Sequence, residues 1–160
     1  MPGVTSDLSI PIVDLFAGPG GLGEGFTTFR APGGRAPFRV RLSIEKDFWA
    51  HQTLTLRAFY RQFSPGRVSG RYYDVLRGTA DVESLFARFP EESARAREEA
   101  WNAELGAVDQ SELRRRIDAA VSQSDEWVLI GGPPCQAYSV AGRSGYRRTP
   151  YSKLLLPAGA

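Results

Sequence analysis

An apolar segment that runs directly into a cluster of glycines constrains the fold of this chain more than any other feature. Residues 9–16, Ser-Ile-Pro-Ile-Val-Asp-Leu-Phe, are long enough for a buried strand, and the Gly/Pro-rich residues 17–21 end it. Residues 22–29 can then form a short helix. Residues 38–45 alternate apolar and polar side chains, which predicts a second strand. A strand, a glycine loop, a helix and a strand in this order predict the opening of a doubly wound α/β sheet.

The rest of the chain predicts more helices and one more strand. Residues 47–63 predict a helix with Asp47 as its N-cap. Residues 81–123 predict two or three helices, a helical insertion whose last helix has Ser111 as a candidate N-cap. The apolar residues 127–130 predict another buried strand. The fold class is therefore a Rossmann-like, mostly parallel α/β sheet.

Composition excludes several classes of protein. A chain of 160 residues with 42% hydrophobic residues can build one globular domain. No apolar run approaches the roughly 20 residues that span a bilayer, and residues 1–7 lack the features of a secretory signal. The single cysteine, Cys135, excludes an intramolecular disulfide, and with only one histidine, His51, the sequence predicts no metal site. We expect a soluble, cytoplasmic protein.

The glycine cluster predicts a binding site for an adenosine-containing cofactor. Gly18-Pro19-Gly20-Gly21-Leu22-Gly23 satisfies G-x-G-x-x-G between a predicted strand and a helix. Glu45 lies 22 residues further on, at the end of the second strand, where a carboxylate can accept hydrogen bonds from ribose hydroxyls. NAD, FAD and S-adenosylmethionine all fit this pattern, and a structural turn without a ligand is the fourth interpretation.

Two residues favour S-adenosylmethionine. Asp14 interrupts the first strand near its end, where dinucleotide-binding folds usually have an aliphatic residue. Phe16 places an aromatic ring beside the glycine loop. A pyrophosphate gains little from such a ring, whereas a sulfonium or an adenine can pack against it.

A second loop carries a candidate nucleophile. Most single cysteines are small buried hydrophobes, but Cys135 follows a predicted strand and the rigid sequence Gly-Gly-Pro-Pro. Gln136, Tyr138, Ser139 and Arg143 follow within eight residues and add polar groups and a cation. The carboxyl ends of parallel strands line one crevice, so we expect this loop beside the glycine loop, with the thiol next to the cofactor.

These two segments resemble the C5-cytosine-specific DNA methyltransferases. Residues 14–22, Asp-Leu-Phe-Ala-Gly-Pro-Gly-Gly-Leu, resemble the cofactor-binding motif of that family, and residues 132–139, Gly-Pro-Pro-Cys-Gln-Ala-Tyr-Ser, resemble its catalytic motif. The resemblance covers about residues 10–145. It implies a methyltransferase fold, S-adenosylmethionine as methyl donor and double-stranded DNA as substrate.

The resemblance also implies roles for individual residues. Cys135 is the implied nucleophile, and the other implied site residues are those that surround the cofactor, Phe16, Gly18, Gly20, Gly21, Glu45 and Pro134, and those that contact the substrate, Gln136, Ser139 and Arg143. Addition of a thiolate to C6 of cytosine makes C5 reactive toward a methyl sulfonium, and the base must first leave the helix. A thiol with a pKa near ~8.5 needs a neighbouring positive charge or base, and Arg143 can supply that charge.

The sequence departs from the family pattern at two positions beside the cofactor. The aromatic residue that usually follows the ribose-binding acid is replaced by Lys46, so Phe48 or Trp49 must stack on adenine or the stack is weaker. The third family motif contributes an acid near adenine, for which Asp74 is the nearest candidate.

Other elements of the family have no counterpart in residues 1–160. No Asp or Glu follows Glu126, so the ring-protonating glutamate is missing, as is a target-recognition domain. We therefore expect the N-terminal part of a catalytic domain, from a truncated, frameshifted or split gene, that is inactive alone and active with a complementing C-terminal chain. The basic tail, Arg143 to Lys153, adds only weak phosphate contacts. The alternatives are a non-catalytic module that binds cofactor or a partner chain, and an NAD- or FAD-binding oxidoreductase lobe.

Overall fold

The computed structural model describes residues 9–122 and 124–133. Within them, the chain forms four strands and six helices. In chain order they are β1 (Ile10–Leu15), α1 (Gly21–Thr28), β2 (Phe38–Glu45), α2 (Phe48–Arg61), α3 (Gly70–Leu76), α4 (Val82–Arg88), α5 (Pro90–Glu99), β3 (Ala100–Asn102), α6 (Gln110–Val121) and β4 (Val128–Gly131).

The four strands form one parallel sheet in the order β3-β2-β1-β4. The chain builds outward from β1 through β2 to β3, and then crosses back to place β4 on the other side of β1. This arrangement confirms the predicted Rossmann-like α/β fold class. All four carboxyl ends lie at one end of the sheet, so the segments that follow β1, β2, β3 and β4 meet there.

Helices cover both faces of the sheet. On one face, Leu54, Ala58 and Phe59 of α2 pack with residues of α3, α4 and α5 in a core rich in aromatic rings. On the other face, Val13, Leu42 and Ile44 pack against α6 and the segment that precedes it. Val13 and Ile44 are fully or almost fully buried, as expected of central parallel strands.

The predicted alternation of β2 is interrupted by a shift in its pairing with β1. Ile12 pairs with Val40, but Val13 pairs with Leu42, so Arg41 is an extra residue. Because of this shift, Val40 lies on the α1 face, near Gly23, while Leu42 and Ile44 face α6. A strand buried on both faces needs apolar residues on each, and the irregularity supplies them.

The helix caps and the third strand differ in part from the sequence-based expectations. Asp47 caps α2 as predicted, because its Oδ1 accepts a hydrogen bond from the Ala50 N–H at 2.8 Å. The predicted cap Ser111 is wrong. Asp109 caps α6 by accepting from the backbone N–H groups of Ser111 and Glu112, and Ser111 lies inside the helix. β3 falls within the stretch predicted as helical, because a strand of three residues is too short to show periodicity.

Candidate functional site

The glycine loop turns sharply at the carboxyl end of β1. Gly18 and Gly20 have φ angles of 56° and 87°, and Phe16 also has a positive φ, 56°, which is rare for an aromatic residue. The Ala17 N–H donates to the Ile44 carbonyl at 3.0 Å, and the Gly20 N–H donates to the Ala17 carbonyl at 3.0 Å. The loop is thus tied to β2 before α1 begins.

Gly20 is required by its surroundings as well as by its backbone angle. A Cβ at this position would lie 2.8 Å from Cδ1 of Leu54, which is itself almost fully buried in α2. At Gly18 and Gly21 a Cβ would meet no atom within 4 Å. Space therefore remains open above the loop at Gly18 and Gly21, whereas Gly20 holds the loop against α2.

Glu45 joins the end of β2 to the glycine loop. Its Oε2 accepts a hydrogen bond from the Gly18 N–H at 2.8 Å, and its Oε1 accepts from the Asp47 N–H at 2.7 Å. An ionised carboxylate offers about four acceptor positions, so two backbone bonds leave capacity for two hydroxyl donors. The structure thus brings together the predicted site residues Gly18 and Glu45, which are 27 positions apart in the sequence.

Asp14 places a second carboxylate beneath the same loop. Its side chain is fully buried, and neither oxygen has a hydrogen-bond partner among the described residues. Burial raises the pKa of Asp14 to about 6, against the opposing effects of the Gly23 backbone amide and Arg61. A buried, unpaired acid of this kind is uncommon and marks a candidate functional position.

The carboxyl end of β3 brings in residues that the sequence did not indicate. The Asn102 side chain donates to the backbone carbonyls of Glu45 and Lys46 at 2.9 and 3.2 Å. Lys46, which stands where the family has an aromatic residue, pairs with Glu104 at 3.1 Å. Residues 81–123 predict helices, so the sequence gives no sign of these contacts at the end of β3.

The candidate aromatic residues lie at the start of α2 and are exposed. The Phe48 and Trp49 side chains are 56% and 76% exposed, and their ring centroids lie 5.1 Å apart. Phe16 is half-buried and packs on the cluster around Ile44. Asp74, the candidate third-motif acid, lies in α3, where its carboxylate binds Arg77 at 2.8 Å. A different acid, Glu104, lies two residues after the end of β3.

β4 leads the chain toward the glycine loop. Gly131 pairs with Leu15, the last residue of β1, so the described chain leaves β4 next to Phe16. A Cβ at Gly131 would overlap the carbonyl oxygen of Leu15. The remaining predicted site residues, Pro134, Cys135, Gln136, Ser139 and Arg143, lie outside the described residues.

The residues around the glycine loop border the open space at Gly18 and Gly21, which we term the cleft. Glu45 and Asp14 supply the negative charge, and the glycines supply close backbone approach. Within residues 9–122 and 124–133, no three His, Cys, Asp or Glu side chains cluster as a metal site. In the same part of the chain, every helix is too short or too polar to cross a bilayer.

The chain is similar in sequence to part of several type II methyltransferases. It is 30% identical over 150 residues to the type II methyltransferase M.Bpa9945I of Bacillus paralicheniformis, covering 83% of this chain and 32% of that protein. It is 31% identical over 131 residues to the type II methyltransferase M.DdeI of Desulfomicrobium norvegicum, covering 82% and 20%. A putative type II methyltransferase of Oceanobacillus iheyensis, M.OihORF3336P, is 27% identical over 141 residues, covering 88% and 21%.

These similarities confirm the resemblance drawn from the two motifs at the level of type II methyltransferases. The chain spans between a fifth and a third of the length of these curated relatives. No protein-family model matches the chain. No solved structure matches it either.

Proposed function

Because this chain is related to the type II methyltransferases, we propose that it is part of a DNA methyltransferase that transfers a methyl group from S-adenosylmethionine to C5 of cytosine. Cys135 is the proposed nucleophile, and the cleft at the carboxyl end of the sheet is the proposed cofactor site. The observation that carries the proposal is the contact between the Glu45 carboxylate and the Gly18 N–H, at 2.8 Å.

The residues of the cleft fit S-adenosylmethionine. Glu45 is held by two backbone amides with its remaining lone pairs free to accept from ribose hydroxyls. Gly18 and Gly21 leave open space above the loop, and Asp14 adds a buried carboxylate below it. Two carboxylates favour a cationic ligand over a pyrophosphate, which carries negative charge of its own. A ribose-binding acid such as Glu45 also suits NAD and FAD, so the second carboxylate, Asp14, is the one that argues against them.

Residues of this chain would perform two tasks in the proposed reaction: some orient the cofactor, and Cys135 activates the cytosine. When bound, S-adenosylmethionine supplies an electrophilic methyl group. Glu45 and the glycine loop orient it, and Phe48 and Trp49 offer exposed rings near Glu45 for the adenine. The Cys135 thiolate would add to C6 of the flipped cytosine, and the electron pair of the C5–C6 double bond would make C5 a nucleophile toward the methyl group, with S-adenosylhomocysteine as the leaving product. Loss of the C5 proton with release of the thiolate restores the aromatic ring and the enzyme.

Calorimetry with S-adenosylmethionine and with NAD tests the cofactor site. We expect S-adenosylmethionine to bind and NAD not to bind, and Glu45→Gln to weaken binding about tenfold through loss of charge and of ribose acceptors. Glu83→Gln is the matched control, because Glu83 is an exposed glutamate on α4. Tighter binding of NAD, or equal affinities for the two variants, would overturn the assignment of the cleft.

A methyl-transfer assay with labelled S-adenosylmethionine tests the chemistry. Duplexes with and without cytosine distinguish methylation at cytosine from methylation at adenine. We expect little transfer by the 160-residue chain alone and clear transfer when a polypeptide with the family's ring-protonating glutamate is added, since losing a positioned acid reduces a rate by about 10²–10⁴. Cys135→Ser should abolish transfer in the mixture. Transfer to cytosine-free DNA, or activity that survives Cys135→Ser, would contradict the proposed mechanism.

A further inference from the structure

A cavity of about 550 Å³ lies at the opposite end of the sheet from the glycine loop. Its walls are the first half of β2, the last turn of α5 and the second half of α6, with Gln62 at the end of α2. β3 pairs with β2 only from Ser43 to Glu45, so the cavity lies beside the part of β2 that β3 does not reach. Cavities of this size hold small-molecule ligands.

Positive charge dominates the lining of this cavity. Two lining residues are acidic, Glu98 and Glu99, and six are arginines: Arg39, Arg41, Arg95, Arg97, Arg115 and Arg116. One of the two acids is already neutralised, because the buried Glu99 carboxylate binds Arg61, which lies outside the lining. We term this site the arginine cavity.

The arginines are available to a ligand to different degrees. Arg97 lies over the Phe86 ring at 5.2 Å and makes no ion pair with a described carboxylate. Arg115 binds Glu112 at 2.8 Å, and Arg95 binds Glu92 at 3.2 Å, each one helical turn away on the surface. These pairs are exposed to solvent, so a multiply charged anion can compete with Glu112, which also binds Arg116, and with Glu92 for the guanidinium groups.

We propose that the arginine cavity binds a small anion that carries two or more phosphate groups. Guanidinium groups match phosphate oxygens with two parallel hydrogen bonds, and several of them around one cavity favour an ion with several charges. Leu42 and two alanines of α6 give the lining an apolar part, which suits an organic group attached to the phosphates. This site is separate from the proposed cofactor cleft, and its ligand is of opposite charge.

Titration calorimetry of the full chain with pyrophosphate tests the proposal. A 12-base-pair duplex and sodium sulfate at equal ionic strength are the comparison ligands. We expect one pyrophosphate per chain, bound at least tenfold more tightly than sulfate. Arg97→Gln and Arg115→Gln should each weaken pyrophosphate binding about fivefold to tenfold. Arg114→Gln is the matched control, because it removes the same charge from the same helix at a residue outside the lining.

Each other outcome counts against the proposal. Equal loss with Arg114→Gln, or equal binding of sulfate, would show general attraction to a basic surface. Binding of the duplex but not of pyrophosphate through Arg97 and Arg115 would replace a small anion with nucleic acid as the ligand. Circular dichroism verifies that each variant is folded. S-adenosylmethionine binding by the same variants shows whether the cofactor cleft is intact, so failure here is distinguishable from failure of the proposed function.

Discussion

The two ends of the parallel sheet are built in different ways. At the carboxyl end, backbone amides and glycines define the site, and a few side chains such as Glu45 are held by main-chain N–H groups. At the amino end, charged side chains define the structure, with Arg61 bridging Glu24 and Glu99 beside the arginine cavity. The stability of the carboxyl end therefore depends on the space around its backbone, whereas the stability of the amino end depends on the pairing of charged side chains.

We expect a substitution at the amino end, Arg61→Met, to lower the free energy of unfolding more than any other single substitution considered below. Arg61→Met leaves the buried Glu99 carboxylate without its partner, and we expect a loss of about 3–5 kcal/mol in the free energy of unfolding. Urea denaturation followed by circular dichroism measures this loss. The double variant Arg61→Met/Glu99→Gln, which removes the buried charge and leaves only the partly exposed Glu24 without its partner, should recover most of the stability. A double variant as unstable as Arg61→Met would show that packing rather than charge pairing dominates this end.

At the carboxyl end, Gly131→Ala tests backbone clearance between β4 and β1. The added Cβ would overlap the Leu15 carbonyl oxygen, so the two strands must separate, and we expect a loss of about 3 kcal/mol. Gly132→Ala is the control one residue away, where a Cβ meets no atom within 4 Å. Equal denaturation midpoints for the two variants would mean that β4 does not pack against β1 as described.

Gly20→Ala should have a smaller effect on stability and a larger effect on ligand binding. The left-handed backbone angle costs a non-glycine residue about 1–2 kcal/mol, and the Leu54 side chain must also move. We expect a total loss of about 2 kcal/mol and weakened S-adenosylmethionine binding. Gly21→Ala, whose Cβ meets no atom within 4 Å, should leave stability nearly unchanged. Thermal unfolding of the two variants side by side gives the comparison.

Substitution of Asp14 should change the free energy of unfolding least, and unlike the Arg61, Gly131 and Gly20 substitutions it should stabilise the protein. Its folded pKa of about 6 lies above the ordinary value of 3.8, so between these values the folded state binds more protons than the unfolded state. The contribution of Asp14 to stability therefore falls as pH rises from about 4 to 6, by up to about 3 kcal/mol.

Asp14→Asn should remove this pH dependence and stabilise the protein by about 1 kcal/mol at pH 8. The gain is smaller than the full shift because the buried amide also lacks hydrogen-bond partners. Denaturation midpoints at pH 4, 6 and 8 for the parent chain and the variant measure the effect. A parallel pH dependence in both proteins would show that Asp14 is not the group that titrates.

Elements whose patterns are local follow from the amino-acid sequence. Residues 9–16 and 127–130 are apolar runs long enough to predict β1 and β4, and the glycine cluster between a strand and a helix predicted the loop. Asp47 predicted the start of α2, because an N-cap bonds to its own helix. Glu45 was identified by its position at the end of a strand, which is also a property of the local sequence.

Features that depend on contacts between distant parts of the chain emerge only when the chain is packed. Which face Val40 occupies depends on a pairing shift with β1, and the three residues of β3 form a strand only because β2 offers an edge. The unpaired state of Asp14, the Lys46–Glu104 pair and the arginine cavity each join elements far apart in the sequence. Periodicity and capping report interactions within a few residues, whereas burial and charge pairing depend on how the elements pack together.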